Sequence, residues 1–168
     1  GEFYQLDFEM SFVNQEDVFS ALEPVLYEVF LENNHYNKQA AWTVSKPPFK
    51  KIPYAEALNK YGTDKPDLRI PILIEDFTDI FKGSEFKIFA DNISKGFVVK
   101  GIKIKNVANK PRSFFDKLND WAREEGAAGL GYINYYNNEY KGPIAKNLSD
   151  ERKLSLKLKN DETVFFIC

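Results

Sequence analysis

Apolar and polar residues alternate strictly near the start of the chain. Every second position is apolar over residues 4–12, which carry Tyr4, Leu6, Phe8, Met10 and Phe12. A period of two is typical of a β-strand with one buried face and one polar face. The pattern therefore predicts a strand here, with Gln5, Asp7 and Glu9 on its polar face.

The next segment has the period of an amphipathic helix. Asn14 is a good N-cap residue, and Asp17 lies three positions later, where a capping-box partner belongs. Apolar residues then recur at helical spacing as far as the Asn33-Asn34 pair, which predicts the end of the helix. Pro24 lies inside this helix and is expected to kink it.

An extended connection and one short helix are predicted to follow. The prolines at positions 47, 48 and 53 favour an extended connection over residues 36–53, with a short strand near residues 42–44. Residues 54–61 fit two helical turns, and Gly62 is placed to end them.

A polar run over residues 63–69 comes next. Its Pro66 disfavours the helical conformation in the residue before it, so the run is predicted to be an ordered loop. A short amphipathic segment over residues 75–81 follows. We place a domain boundary near residue 72.

The second half of the chain predicts four strands and two helices. The strands are expected at residues 86–90, 97–104, 130–135 and 163–168, and the helices at residues 111–126 and 149–158. Alternating leucines leave a strand as the alternative for the last helix. The alternation slips by one position at Gly101, which predicts a β-bulge. This order of elements predicts an α+β fold, a mostly antiparallel sheet with helices on one face.

Composition narrows the classes of protein that fit these elements. The 168 residues are 43% hydrophobic and 29% charged, and their formal net charge of -2 gives no overall basic field for nucleic acid. The single cysteine, Cys168, excludes an intrachain disulfide and a multi-cysteine metal site in this sequence. The single histidine, His35, is expected to be a solvated loop residue, because no obvious nucleophile lies near it. No long apolar run or signal peptide occurs, so a soluble cytoplasmic protein is expected.

Because Gly1 leads almost directly into a strand pattern, the chain is expected to be a piece of a longer one.

The polar face of the first predicted strand is the clearest candidate for chemistry. Side chains two apart on a strand lie on the same face about 6.6 Å apart, so Gln5, Asp7 and Glu9 would form a row. Such a row, if it lined a cleft, would suit an ammonium group or a metal-bound phosphate. A solvated sheet face explains the same pattern, and spacing alone favours that simpler interpretation.

Three stretches of the chain resemble bacterial-type aspartyl-tRNA synthetases, which are class II enzymes. Residues 2–12 read EFYQLDFEMSF and resemble the end of class II motif 2. Residues 54–69 contain YAEA and YGTDKPDLR, which are similar to a run of that family, with Thr63 where serine is common. Residues 126–130 and 142–146, GAAGL and GPIAK, resemble the GAD domain inserted between motifs 2 and 3. The three matches fall in the family's order.

The resemblance implies a domain division and an activity. Residues 1–72 would belong to a class II catalytic domain, and residues 73–168 to the GAD domain. The parent enzyme is expected to be a homodimer that activates L-aspartate with ATP and Mg²⁺ and transfers it to the 3′ end of tRNA-Asp. Motif 1, the arginine of motif 2 and motif 3 do not occur in these 168 residues. The piece itself is therefore expected to be non-catalytic and to hold no cofactor and no metal.

The resemblance also assigns roles to single residues. Asp7 is expected to hold the ammonium group of the substrate, Gln5 to line the same pocket, and Glu9 to bear on the ATP and Mg²⁺ side. For the loop residues Asp64, Lys65, Asp67 and Arg69, two interpretations stay open. They border the active site or the incoming tRNA end, or they form a salt-bridged structural junction.

Two other classes of protein remain as alternatives. GAD domains also occur in subunits of archaeal tRNA-dependent amidotransferases, so the chain could be a binding module, although the EFYQLDFEMSF stretch argues against that source. A self-contained small enzyme is disfavoured, because no nucleophile motif, metal cluster or phosphate loop is present.

Two groups in the second half are weaker candidates for RNA contact. The lysines Lys100, Lys103 and Lys105 cluster on one strand, where solvent cover is the commoner role. The aromatic residues Tyr135, Tyr136 and Tyr140 would stack on bases or simply pack a turn.

Overall fold

The computed structural model describes residues 1–36 and 43–168, which form two compact units. The first unit spans Gly1–Ile52 and the second spans Pro53–Cys168. The domain boundary near residue 72 concerns the parent enzyme and stays a prediction.

The first unit begins without regular structure, so the predicted strand over residues 4–12 is wrong. None of these residues pairs in a sheet, and all of them are exposed, including Tyr4, Leu6 and Phe8. A strand is held by hydrogen bonds to a neighbouring strand. No strand in the described part of the chain pairs with this segment, which explains the difference.

Helix α1, Gln15–Tyr36, follows and confirms the predicted capping box. The Asn14 side chain accepts hydrogen bonds from the backbone N–H groups of Glu16 and Asp17, at 2.9 and 3.3 Å. In return, the Asp17 carboxylate accepts from the Asn14 backbone N–H at 2.9 Å. The described part of the helix extends to Tyr36, two residues beyond Asn34, and Pro24 lies inside it. Of the strand predicted near residues 42–44, residue 42 lies outside the described residues and the other two are not in a strand.

The second unit is built around one five-stranded sheet. Its strands are β1 Ile74–Asp76, β2 Lys100–Lys105, β3 Gly131–Tyr136, β4 Glu139–Lys141 and β5 Glu162–Ile167. Their order across the sheet is β1-β2-β5-β3-β4, and every neighbouring pair is antiparallel. Its helices are α2 Tyr54–Tyr61, α3 Thr78–Phe81, α4 Lys87–Ser94, α5 Arg112–Glu124 and α6 Asp150–Ser155, with a 3₁₀ turn at Ala145–Asn147. The predicted fold class, α+β with an antiparallel sheet, is confirmed.

The main core lies on one face of this sheet. Val164 and Phe166 of β5 and Ile133 of β3 are completely buried there. Phe81 of α3 packs edge-on against Phe166, with ring centroids 5.0 Å apart, and against Phe89 of α4 at 4.9 Å. The aromatic contacts join α3 and α4 to the central strand.

Helix α5 packs on the opposite face. Phe165 alternates with the core residues of β5 and so projects to that side. Phe115 of α5 lies with its ring centroid 6.0 Å from that of Phe165 and stacks on Tyr132 of β3 at 4.2 Å. The structure thus refines the expectation of helices on one face, because α5 lies on the other side from α3 and α4.

The start and stop signals placed the helices of this unit well. The left-handed Gly62, with φ of 72°, ends α2, and its N–H donates to the Leu58 carbonyl. Helix α5 starts after Pro111, and Gly126 follows its end with φ of 95°. Helix α6, capped by the Ser149 hydroxyl, confirms a helix rather than a strand at the start of residues 149–158, but it ends at Ser155, and Lys157 has a φ of 53°.

The strand predicted at residues 86–90 is wrong, because this segment forms α4. Phe86, Phe89 and Ile93 contact the core at three- and four-residue spacing, whereas Ile88 is 66% exposed. Helical spacing therefore buries the aromatic rings that alternation would have split between two faces.

The bulge predicted at Gly101 is also wrong. Strand β2 begins at Lys100, and its pairing with β5 runs without interruption. A Cβ at Gly101 would lie 2.4 Å from the Phe165 carbonyl oxygen and 3.1 Å from the Phe77 ring. Glycine is needed here for close packing, and the strand-like residues before Lys100 lie outside the ladder.

Candidate functional site

Gln5 and Asp7 are brought together, although no strand holds them. The Gln5 side-chain amide donates a hydrogen bond of 2.6 Å to Asp7 Oδ1, and both side chains are exposed. Asp7 Oδ2 has no recorded partner among the described residues. A carboxylate fixed on one oxygen and open on the other can accept a hydrogen bond from an ammonium group. Glu9 is exposed in the same segment and shares no recorded contact with Asp7.

The loop after α2 is ordered by hydrogen bonds between near neighbours. The Thr63 hydroxyl accepts from the Lys65 backbone N–H at 3.2 Å, and Lys65 pairs with Asp64 at 2.7 Å. These contacts confirm the predicted ordered loop.

Asp67 and Arg69 form a fork-like pair in this loop. The Arg69 guanidinium donates to Asp67 Oδ1 at 2.9 Å and to Oδ2 at 2.5 Å, and the Arg69 backbone N–H adds a bond of 3.0 Å. These bonds hold the pKa of Asp67 at about 2, below its usual value. The pair is local, so it fixes the turn and leaves the 90% exposed Arg69 side chain on the surface.

The lysine cluster on β2 is largely engaged within the sheet. Lys100 pairs with Asp76 and Lys103 with Glu75 of the neighbouring strand β1, each at 2.8 Å. Partial burial would raise the pKa of Asp76, but hydrogen bonds from Lys100 and from Thr78 outweigh it and hold the pKa at about 2. Cross-strand pairing thus accounts for these two lysines, while Lys105 is exposed with no recorded ion pair in the described part of the chain.

The tyrosines near the β3–β4 turn pack on one another. The ring centroids of Tyr135 and Tyr140 lie 4.5 Å apart, and both rings pack against the core cluster. Burial raises the pKa of Tyr140, and the neighbouring Tyr135 acts in the same direction. Packing explains this pair, and Tyr136 beside it is half-buried.

The structure also forms a polar pocket that sequence analysis missed. This cavity, here called the Tyr132 pocket, has a volume of about 450 Å³ and is lined by Arg112, Asp116, Asn119, Tyr132, Gly142 and Pro143, among others. Burial raises the pKa of Tyr132, the charge of Asp116 acts in the same direction, and that of Arg112 opposes it. One signal was present in the sequence, since residues 112 and 116 are one helical turn apart and carry opposite charges.

Residues 1–36 and 43–168 hold no cluster of three or more His, Cys, Asp or Glu side chains able to bind a metal ion. Across those ranges, no helix is both long enough and apolar enough to cross a membrane. His35 is exposed, and Cys168 is a half-buried free thiol.

Comparison with known proteins identifies the family. The model of the family described as tRNA synthetases class II (D, K and N) matches residues 1–168, and the chain belongs to that family. A curated relative from Paramagnetospirillum magneticum, named aspartate–tRNA(Asp/Asn) ligase, is 55% identical over 100% of this chain and 19% of its own length. Relatives of the same name from Rickettsia felis and Gluconobacter oxydans are 53% and 51% identical over 99% of the chain and 28% of their own length. The chain thus spans only 19% to 28% of the length of these relatives.

Proposed function

We propose that this chain is part of an aspartate–tRNA ligase. The parent enzyme joins L-aspartate to the α-phosphate of ATP with release of pyrophosphate, and then transfers the aspartyl group to the 3′ end of tRNA. The observation that carries this proposal is the match of the whole chain, at 51% to 55% identity, to ligases of that name. The match includes residues 1–52, which argues for a synthetase and against an amidotransferase module.

Within the parent, we assign residues 1–72 to the catalytic domain and residues 73–168 to the inserted GAD domain. Residues 2–12, which resemble the end of motif 2, lie in the first segment. The GAAGL and GPIAK stretches lie in the second. We further propose that the parent works as a homodimer in the cytoplasm.

Asp7 is the residue we propose to hold the substrate ammonium group, with Gln5 lining the same pocket. The 2.6 Å bond from Gln5 orients the Asp7 carboxylate and leaves Oδ2 open to a second donor. If the substrate pocket of the parent enzyme buries this contact, a charge-assisted hydrogen bond contributes about 1.5–3 kcal/mol to binding of the ammonium group. Glu9 would then lie toward the ATP, where its carboxylate suits the oxygen preference of Mg²⁺.

Substrate range is the part of the proposal that the relatives' names support most directly. The relatives named above carry tRNA(Asp/Asn) in their names. We therefore propose that the parent charges both tRNA-Asp and tRNA-Asn with aspartate.

The loop carrying Asp64, Lys65, Asp67 and Arg69 is proposed to border the active site or the tRNA end. Its support is the exposed guanidinium of Arg69, which Asp67 holds in one orientation. In the parent, Arg69→Lys keeps the charge but loses the fork, so a larger KM for tRNA in this variant would support the assignment. A variant that loses thermal stability with an unchanged KM would instead indicate a structural junction.

The test of the whole proposal is amino-acid-dependent exchange of pyrophosphate into ATP by the parent enzyme, followed by charging of purified tRNA. We expect exchange with aspartate and not with asparagine or lysine, and charging of both tRNA-Asp and tRNA-Asn. Exchange that depends on a different amino acid would refute the assignment. Charging of tRNA-Asp alone would refute only the broader tRNA range.

A further inference from the structure

The stacked rings of Phe115 and Tyr132 line one side of the Tyr132 pocket. Tyr132 stacks on Phe115 with ring centroids 4.2 Å apart and an angle of 12° between the rings, and Phe115 is itself buried. A Cβ at Gly142 would lie 3.3 Å from two carbons of the Tyr132 ring. Gly142 has φ of 120°, which favours glycine, and its lack of a side chain avoids a close contact with this part of the Tyr132 ring.

Two charged side chains that can form further hydrogen bonds line the same pocket. Arg112 Nε and Asp116 Oδ2 are 3.6 Å apart, beyond hydrogen-bond distance, and both side chains are exposed. Their donors and acceptors are therefore available to a ligand. Asn119 Oδ1 accepts from the Leu130 backbone N–H at 2.9 Å, which orients the Asn119 amide within the pocket lining.

An aromatic ring, a guanidinium and a carboxylate together match the parts of one nucleotide. A base presents a flat face and N–H groups on its edge, and its phosphate is an anion. The volume of about 450 Å³ lies within the range of small-ligand sites, about 300–1,000 Å³. The base must be unpaired, because in a duplex both its faces and its edge are already occupied.

We propose that the Tyr132 pocket binds one unpaired nucleotide of RNA. Tyr132 stacks on the base, Asp116 accepts hydrogen bonds from the edge of the base, and Arg112 donates to the phosphate. The choice of RNA over a free nucleotide rests on the proposed function, in which tRNA is a substrate. The other aromatic and basic groups considered for RNA are less suited, since Tyr135 and Tyr140 pack on each other and Lys100 and Lys103 are paired.

The direct test is fluorescence anisotropy of a labelled unpaired hexaribonucleotide titrated with the 168-residue chain at low salt. Base stacking on an aromatic residue contributes about 1–3 kcal/mol, so Tyr132→Leu should weaken binding about fivefold or more, whereas Tyr132→Phe should bind nearly as wild type. Arg112→Ala should weaken it several-fold. Lys117→Ala is the matched control. Lys117 is exposed on the same helix and is not among the pocket residues, so this variant removes the same charge outside the pocket.

Several outcomes would overturn the proposal. Equal losses for Arg112→Ala and Lys117→Ala would show that only overall charge matters. Equal affinity for a duplex of the same length would contradict recognition of an unpaired base. Competition by AMP as strong as that of the unlabelled hexaribonucleotide would indicate a site for free mononucleotides. Arg112 and Asp116 are exposed, so Arg112→Ala and Asp116→Asn keep the test valid even if Tyr132→Leu unfolds the chain.

Failure of the nucleotide site and failure of the proposed function are distinguishable. In the parent enzyme, Arg112→Ala should raise the KM for tRNA several-fold and more than the KM for aspartate. If the parent exchanges pyrophosphate with aspartate but Arg112→Ala leaves the KM for tRNA unchanged, the nucleotide site is refuted and the ligase assignment stands. If the parent shows no aspartate-dependent exchange, the ligase assignment is refuted. The RNA titration of the 168-residue chain would then still test the nucleotide site.

Discussion

Residues 1–52 and residues 53–168 use their apolar side chains in opposite ways. In the second region, Phe81, Phe166 and Val99 have no exposed surface. In the described part of the first region no residue is buried, and Phe3 and Phe30 are 82% and 53% exposed. An apolar pattern thus produces a core only where the same chain supplies the opposing surface.

The difference has an energetic meaning. Burying one large apolar side chain stabilises a fold by about 1.5–3 kcal/mol, and the second region gains this at many positions. The first region gains little of it, and its helix α1 depends on the capping box and local propensity. We therefore expect the region that carries Gln5 and Asp7 to need surfaces supplied by the proposed parent enzyme.

The largest effect concerns catalysis. The 168-residue chain alone should show no aspartate-dependent exchange of pyrophosphate into ATP, whereas the parent should show it. The charge that develops on the α-phosphate needs cationic partners, and loss of even one stabilising group of this kind costs about a hundredfold to a thousandfold in rate. Exchange by the chain that vanishes on Asp7→Ala would show that the first region is complete as it stands.

Separating the two regions should give unequal products. Residues 53–168 expressed alone should yield well-dispersed amide signals in an NMR spectrum, because their core is internal. Residues 1–52 alone should yield narrow dispersion. A third segment, residues 73–168, tests the predicted domain boundary, and collapse of its spectrum would show that α2 is needed by the sheet.

Matched truncations of two phenylalanines should sharpen the contrast. Phe166→Ala removes a fully buried ring and should cost about 3–5 kcal/mol in the free energy of unfolding. Phe30→Ala removes a ring from the exposed side of α1 and should change it by about 0.5 kcal/mol or less. Urea unfolding followed by circular dichroism measures both. Similar losses would mean that α1 packs more tightly than its exposure indicates.

The smallest effect is electrostatic and belongs to the second region. The pKa of Asp76 is about 2 in the fold and 3.8 is its ordinary value, so its contribution to stability is present above about pH 3.8 and is lost as the pH falls toward 2. The side chains of the Asp76–Lys100 pair are 49% and 35% exposed, so solvent screening limits the effect to less than about 1 kcal/mol. Unfolding of wild type and Asp76→Asn should converge as the pH falls through this window. Parallel curves would assign the pH dependence to other groups.

Local signals in the sequence predicted local structure well. Asn14 and Asp17, Pro111 and Gly126 marked helix ends that the structure confirms. Each of these signals acts within a few residues, so the sequence contains its full physical cause.

The features that depend on distant partners were the ones that failed. Residues 4–12 alternate as a strand does but have no partner among the described residues, and residues 86–90 alternate only over a span too short to distinguish strand from helix. Gly101 signalled a bulge, yet it serves close contact with Phe165 and Phe77, which lie far away in sequence. The Tyr132 pocket was invisible for the same reason, because it joins α5, β3 and the segment after β4.

The role of Asp7 is the central claim, and steady-state pyrophosphate exchange by the parent enzyme with Asp7→Ala tests it most directly. Loss of a charge-assisted hydrogen bond of about 1.5–3 kcal/mol should raise the KM for aspartate about tenfold to a hundredfold, with a much smaller change in the KM for ATP. Asp17→Ala, which removes a capping carboxylate from the same region, is the control for general disruption. Equal increases in both KM values for Asp7→Ala would contradict the proposed contact with the substrate ammonium group.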